Sequence, residues 1–311
     1  MAMKKMRLFT LLLLFTSSLT AAGQTTNDAQ GRMENAQYVI IPTGARSRIV
    51  VDSLASKILG ETRAYTILLP RNYEVNTGKR YPVVYLLHGI MDTNEGWYKN
   101  GHVKTVMDRL VESGEAEEMI VVTPNAGGDI YAGVWNGYFN MPGWNCEDFF
   151  FQEFLPHIES KYRVIADRSH RAIGGLSMGG GGSTVYAQRH PDMFCAVYAM
   201  SALMTLDANG GLPSHGQEKM DIFNNSVREH SATDFVCRAD DRQKEALRAI
   251  RWFVDCGDDD VLFDVDIEFY QAMRDAGIPC QLRVRDGGHD WEYWHTALYT
   301  ALPYFSRNFG K

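Results

Sequence analysis

The chain has no apolar run long enough to cross a bilayer, its N-terminal one included, and nowhere does it carry a long run of Lys and Arg. It is acidic: 31 Lys and Arg stand against 38 Asp and Glu, a net charge of −7 over 311 residues. Scattered cations on an acidic chain argue against nucleic acid as a partner. Cysteine is scarce, with five residues and no C-x-x-C or Cys/His metal spacing. The sequence therefore gives no reason to expect a metal or another cofactor. Walker-type lysine and the G-x-G-x-x-G fingerprint are missing too, which removes the usual phosphate cradles. No repeat or low-complexity linker interrupts residues 37–311, so a single catalytic domain is expected over that span.

The N-terminus reads differently. Lys4, Lys5 and Arg7 precede the apolar LFTLLLLF, and small residues follow in SSLTAAGQ. That order is the one of a secretory signal peptide. Residues 1–23 are thus expected to be a cleaved leader and 24–36 a flexible segment, in a secreted or periplasmic protein. Losing the leader removes three positive charges and no negative one, which takes the net charge from −7 to −10. No cysteine near the cut offers a lipid attachment point, so no stable membrane anchor is expected. Of the five thiols, Cys195, Cys256 and Cys280 sit in strand-like apolar runs and read as buried. A Cys146–Cys237 disulfide stays open, and the oligomeric state is not legible.

What is present is an alternation. YTILLP (65–70), YPVVYLLHG (81–89) and MIVVTPN (119–125) read as strands, with KTVMDRLVESG and EDFFFQEFLPHIESKY as helices between and after them. RAIGGLS, FCAVYAMSA, IRWFVDCG and CQLRVRDGG continue the strands. Near-continuous apolar strands alternating with helices predict a mainly parallel, doubly covered α/β sheet. The 48 residues from Leu203 to Ile250 break the rhythm with Gly-Gly, Pro and many charges. So long an excursion predicts a lid over a site.

One strand runs directly into a glycine-rich helix through Gly175-Leu-Ser177-Met-Gly179. This is G-x-S-x-G, the nucleophile elbow of the α/β-hydrolase fold. The turn is sharp enough that side chains two residues either side of the serine would collide with their neighbours. A serine needs a base, and the base an orienting acid. His289 follows the last strand-like run within DGGHDW and completes the chain order Ser…Asp…His. His88, before the glycine of LLHG, reads as shaping that loop. Asp255 ends a strand and reads as structural, while spacing leaves Asp258, Asp259 and Asp260 equally placed in the next loop. A calcium loop there lacks the Gly and Glu of an EF-hand. Backbone N–H groups of Met178 and Ile90 are the expected oxyanion donors.

ETRAYTILLPRNY, YPVVYLLHGI, IESKYRVIADRSHRAIGGLSMGGGG, CGDDDVL and GGHDWEYWHTAL together span about residues 60 to 300. They resemble the secreted bacterial esterases that include the feruloyl and acetyl-xylan esterases of carbohydrate esterase family 1, in the esterase D-like superfamily. The resemblance implies an α/β-hydrolase fold, and Asp260 as the acid beside Ser177 and His289. It also implies hydrolysis of esters on plant cell-wall polysaccharide, with feruloyl esters first. Acetyl-xylan, a catecholate trilactone siderophore or S-formylglutathione are the alternatives; export weighs against the last. The expected partner is an ester-bearing carbohydrate or a phenolic ester. Loop aromatics and an amide, namely Trp97, Trp135, Asn140, Trp144 and Trp291, are candidate substrate contacts. The 203–250 segment is longer than in compact members, and the glycine run after Ser177 is one residue longer than common.

Overall fold

The computed structural model describes residues 46–128, 131, 133–206 and 218–311. The expected leader (1–23) and flexible segment (24–36) lie outside the described residues. Eight strands make one sheet: β1 (Arg48–Ala55), β2 (Thr62–Leu69), β3 (Val83–Leu87), β4 (Ile120–Pro124), and, after a small hairpin of β5 (Asn140–Met141) and β6 (Trp144–Asn145), β7 (Arg171–Leu176), β8 (Ala196–Met200), β9 (Arg251–Gly257) and β10 (Cys280–Arg285). Their order is β1-β2-β4-β3-β7-β8-β9-β10. β1 and β2 pair antiparallel, as do β2 and β4; every pair from β4 to β10 is parallel.

The central strands are buried on both faces, which is why they read as unbroken apolar runs. In β3, Val83, Tyr85 and Leu87 join one core while Val84 and Leu86 join the other. The helices that cover these faces are α1 (Gly96–Lys99), α2 (Val103–Ser113), α3 (Cys146–Asp148), a π-helical turn Phe149–Phe154 running into α4 (Leu155–Lys161), α5 (Met178–Arg189), α6 (Glu218–Glu229), α7 (Ala232–Arg238), α8 (Asp241–Arg248), α9 (Phe263–Asp275) and α10 (Trp291–Asn308). α2 buries Val103, Val106, Met107 and Leu110, the i, i+3, i+4, i+7 stripe of one helix face. It ends at Gly114, whose φ of 77° lets its N–H reach back to Leu110 and Val111. α10 opens on Asp290, which accepts the Tyr293 N–H at 2.9 Å. Its buried face includes Leu298, Leu302 and Phe305, each worth about 2 kcal/mol of transfer free energy.

The sheet is thus the predicted one. α6, α7 and α8 fill the described part of the 203–250 segment; α6 packs on β5, and α7 on α5 and α9. Residues 207–217 lie outside the described residues. All five cysteines are free, with Cys146 buried and Cys237 exposed, so the open Cys146–Cys237 pairing is not formed. Burial pushes the Cys146 thiol up to about 12, and an inert core thiol results.

Candidate active site

β7, buried throughout, delivers Ser177 to the carboxyl end of the sheet. Ser177 sits at φ 53°, ψ −121°, a strained left-handed corner. Hydrogen bonds hold it there. Its N–H donates to Met200 O and its carbonyl accepts from Leu203 N–H, both at 2.9 Å. A Cβ on Gly175 would lie 2.7 Å from Leu87 O, and one on Gly179 would lie 2.5 Å from the same oxygen. Backbone cannot yield that much, so glycine flanks the serine at both places. The following glycines serve the same approach: a Cβ on Gly181 would meet Leu203 O at 2.0 Å.

His289 comes from the loop after β10, where Gly287 takes a φ of 140°. Its Nε2 lies 3.0 Å from Ser177 Oγ. Its Nδ1 lies 2.9 and 3.0 Å from the two carboxylate oxygens of Asp260. A carboxylate only accepts, so Nδ1 carries a proton toward Asp260, and in the neutral ring Nε2 is the acceptor for the Ser177 hydroxyl. Asp260 also accepts the Leu262 N–H at 2.8 Å. Burial works to raise its pKa, but the His289 and Leu262 hydrogen bonds outweigh burial and hold it below the ordinary carboxylate value. Of the three equally spaced aspartates, Asp258 and Asp259 are exposed, and Asp258 accepts the Gly287 N–H instead. Asp255 is fully buried and accepts from Tyr198 Oη at 2.6 Å, Tyr293 Oη at 2.7 Å and Arg283 Nε at 3.1 Å. Its place is structural, as its position at the strand end suggested.

Beside Ser177 opens a cavity of about 330 Å³ whose walls include Ile90, Met91, Asn100, Leu176, Trp291 and Trp294. Among the described residues, neither the Ile90 N–H nor the Met178 N–H donates a hydrogen bond. Met178 opens α5, where the first-turn N–H groups point out of the helix. A larger hollow of about 430 Å³ lies between α5 and α7, lined by Arg189, Arg228 and Arg238. His230 and Ser231 also line it, but His230 Nδ1 lies 2.8 Å from Ser226 O and Ser231 Oγ accepts the Asp234 N–H at 3.1 Å.

The five candidate substrate contacts separate. Trp291 lines the cavity. Trp97 does not: it is fully buried, its Nε1–H donates to Leu87 O at 3.0 Å, and it backs Trp291 edge-on at 5.4 Å. Trp144 is buried with its Nε1–H on Gly137 O at 2.7 Å. It shares with Trp135 a separate hollow of about 370 Å³ beside the β5–β6 hairpin. Asn140 Oδ1 accepts the Asp148 N–H at 3.1 Å and so holds the start of the next helix. None of the described residues of 203–250 lines the Ser177 cavity. Sequence reasoning passed over Met91, Asn100 and Leu176, since no spacing marks a loop residue or the last residue of a strand as facing a cavity.

Comparison with known proteins adds a lineage. Residues 56–305 match the family described as "Putative esterase". A solved structure titled ferulic acid esterase is 62% identical, covers 86% of this chain and 100% of its own, and superposes with a TM-score of 0.83. An "Endo-1,4-beta-xylanase/feruloyl esterase" of Xylanibacter ruminicola is 33% identical over 147 residues, which are 45% of this chain and 19% of that protein. "Endo-1,4-beta-xylanase Y" of Acetivibrio thermocellus is 27% identical over 288 residues, 85% of this chain and 24% of that one. The chain therefore spans only about a fifth to a quarter of the length of these two curated relatives.

Proposed function

This chain belongs to the esterase family, a carboxylic ester hydrolase on an α/β-hydrolase sheet, and from that premise we propose that it releases hydroxycinnamic acids, ferulic acid first, from esters on plant cell-wall polysaccharide. In this reading Ser177, His289 and Asp260 form the catalytic triad. His289 Nε2 takes the Ser177 proton as Oγ attacks the ester carbonyl, and the N–H groups of Ile90 and Met178 receive the oxyanion. His289 then protonates the departing sugar oxygen. Water, deprotonated in turn by His289, frees the acid from Ser177.

The observation that carries the substrate assignment is the cavity beside Ser177. At about 330 Å³, with Trp291 and Trp294 in its wall, it has room for a planar aromatic acid, where an acetyl group would leave most of it empty. The 62% identical structure titled ferulic acid esterase points the same way. Residues 37–311 would be the catalytic domain, and residues 1–23 a leader that directs export. Among the described residues no helix is long and apolar enough to cross a membrane.

Feruloyl arabinose should give a kcat/KM about thirtyfold above the acetyl ester of the same sugar, since burying one more ring is worth about 2 kcal/mol. Equal or better turnover of the acetyl ester would overturn the feruloyl assignment. Ser177→Ala should keep the fold and lose about 10³-fold or more in ester hydrolysis; a folded, active variant would remove the serine mechanism altogether. N-terminal sequencing of protein from the native cell should find a start near Gln24, and an intact Met1 in a cytosolic fraction would refute export.

A further inference from the structure

We propose that His88 is a positioning residue for ester hydrolysis: from behind the oxyanion loop its imidazole fixes the plane of the Gly89–Ile90 peptide and so aims the Ile90 N–H at the oxyanion. The inference rests on the reading above, in which that N–H is an oxyanion donor.

His88 follows β3 directly and is fully buried. Its Nδ1 lies 2.7 Å from the carbonyl oxygen of Gly89. Its Nε2 lies 3.1 Å from the backbone nitrogen of Ala126. A carbonyl oxygen only accepts and a backbone N–H only donates, so both ring atoms are assigned: Nδ1 carries the proton and Nε2 the lone pair. A second ring proton would confront the Ala126 N–H, so the ring is neutral and in one tautomer. Burial draws its pKa down to about 4, which keeps it so.

The Gly89 carbonyl is thus held by the ring and, from the other side of the turn, by the Asp92 N–H at 3.2 Å. A trans peptide is planar, and its C=O and N–H point in opposite directions; no described peptide here is cis. Turning the carbonyl toward the buried ring turns the Ile90 N–H toward the side where Ile90 lines the cavity with Ser177. The main chain of His88 is itself clamped, its N–H donating to Tyr138 Oη at 2.8 Å and its C=O accepting from the same hydroxyl at 3.2 Å. The oxyanion donor is therefore preorganised by a chain of fixed groups, none of which touches substrate.

Two substitutions divide the ring's duties. In His88→Asn the amide nitrogen stands near the place of Nδ1 and can still donate to Gly89 O. In His88→Gln the amide oxygen reaches the place of Nε2 and can accept from Ala126 N–H, but the carbonyl loses its donor. We expect His88→Asn to keep kcat within about threefold, and His88→Gln to lose about 10²-fold in kcat with KM nearly unchanged, the scale of a lost oxyanion donor. Equal kcat losses, tracking the loss of urea stability in both variants, would overturn the proposal. Should neither variant fold, the wild type answers by nitrogen-15 NMR. A phenylboronic acid adduct on Ser177 places a tetrahedral oxyanion against the loop, and the His88 Nδ1–H resonance should move downfield as the peptide polarises. An adduct that forms without moving it overturns the positioning role alone. Failure of the adduct to form, with Ser177→Ala fully active, overturns the underlying active-site reading instead.

Discussion

The ring of Trp294 stands edge-on to the imidazole of His289, with centroids 4.9 Å apart and planes at 90°, while its Nε1–H is held by Ser201 Oγ at 3.0 Å. One side chain therefore walls the cavity and packs against the imidazole whose Nε2 faces Ser177 Oγ. Trp294 is only 6% exposed. Replacing it by alanine should cost about 3 to 5 kcal/mol of stability, read from the urea midpoint. Trp294→Phe keeps an aromatic edge but loses the tie to Ser201 and the volume of the second ring; it should stay folded and lower kcat by about tenfold. Unchanged kcat in the phenylalanine variant would show that neither the tie nor the full indole steadies His289.

The neighbouring aspartates make a second test. Asp260 meets His289 Nδ1 and Asp258 does not. Asp260→Asn should lower kcat by about 10⁴-fold, because the amide favours the wrong imidazole tautomer. Asp258→Asn should leave kcat within about threefold. Steady-state kinetics on one soluble ester decides the order, and the reverse order would transfer the acid to Asp258.

The elbow tolerates no side chain at Gly179. A Cβ there would stand 2.5 Å from Leu87 O and 2.6 Å from His88 O, and both are backbone. Gly179→Ala should therefore displace the start of α5 from β3 and cost more than about 2 kcal/mol, with kcat falling at least about 10²-fold. Melting temperature and kcat measured together check it. A variant with wild-type values would mean the helix start is free to move.

Burial holds His88 down to about 4, with Arg63 adding a smaller push the same way. In the unfolded chain a histidine titrates near 6.5. Between those values the unfolded state binds the extra proton and the folded state does not, so stability rises with pH across the window. The contribution is complete above about pH 6.5 and is lost as pH falls through 4, about 3 kcal/mol in all. Urea midpoints at pH 7.5 and pH 4.5 should fall further for the wild type than for His88→Asn, which has no such proton to take up. Parallel losses would place the acid sensitivity elsewhere.

Much of this architecture is written locally and was therefore legible. The elbow is a run of adjacent residues, and each glycine answers a clash that the strand-to-helix corner imposes on any sequence. The unbroken apolar runs of β3, β4, β7 and β8 announce burial on both faces. Direction is what a run of residues cannot show. Trp97 and Trp291 both read as loop aromatics near a site, yet one is locked by Leu87 O beneath the other. Trp144 and Asn140 are likewise consumed by Gly137 O and the Asp148 N–H. Asp258, Asp259 and Asp260 differ by one residue each, and only the path of the loop brings one carboxylate onto His289. That path depends on Gly287, in a different segment, whose carbonyl accepts the Asp259 N–H at 3.1 Å.

Ser177 and His289 are 112 residues apart in sequence, and the histidine arrives on the loop that leaves β10, one of the two edge strands of the sheet. The turn that presents the serine can form once β3, β7 and β8 have met, but His289 is brought beside it only when β10 has closed on β9. Contacts so distant along the chain are slow to form. In a refolding experiment, then, hydrolysis should return no earlier than the docking of β10 on β9, so that recovered turnover times that contact even when the spectroscopic signature of the sheet has already appeared.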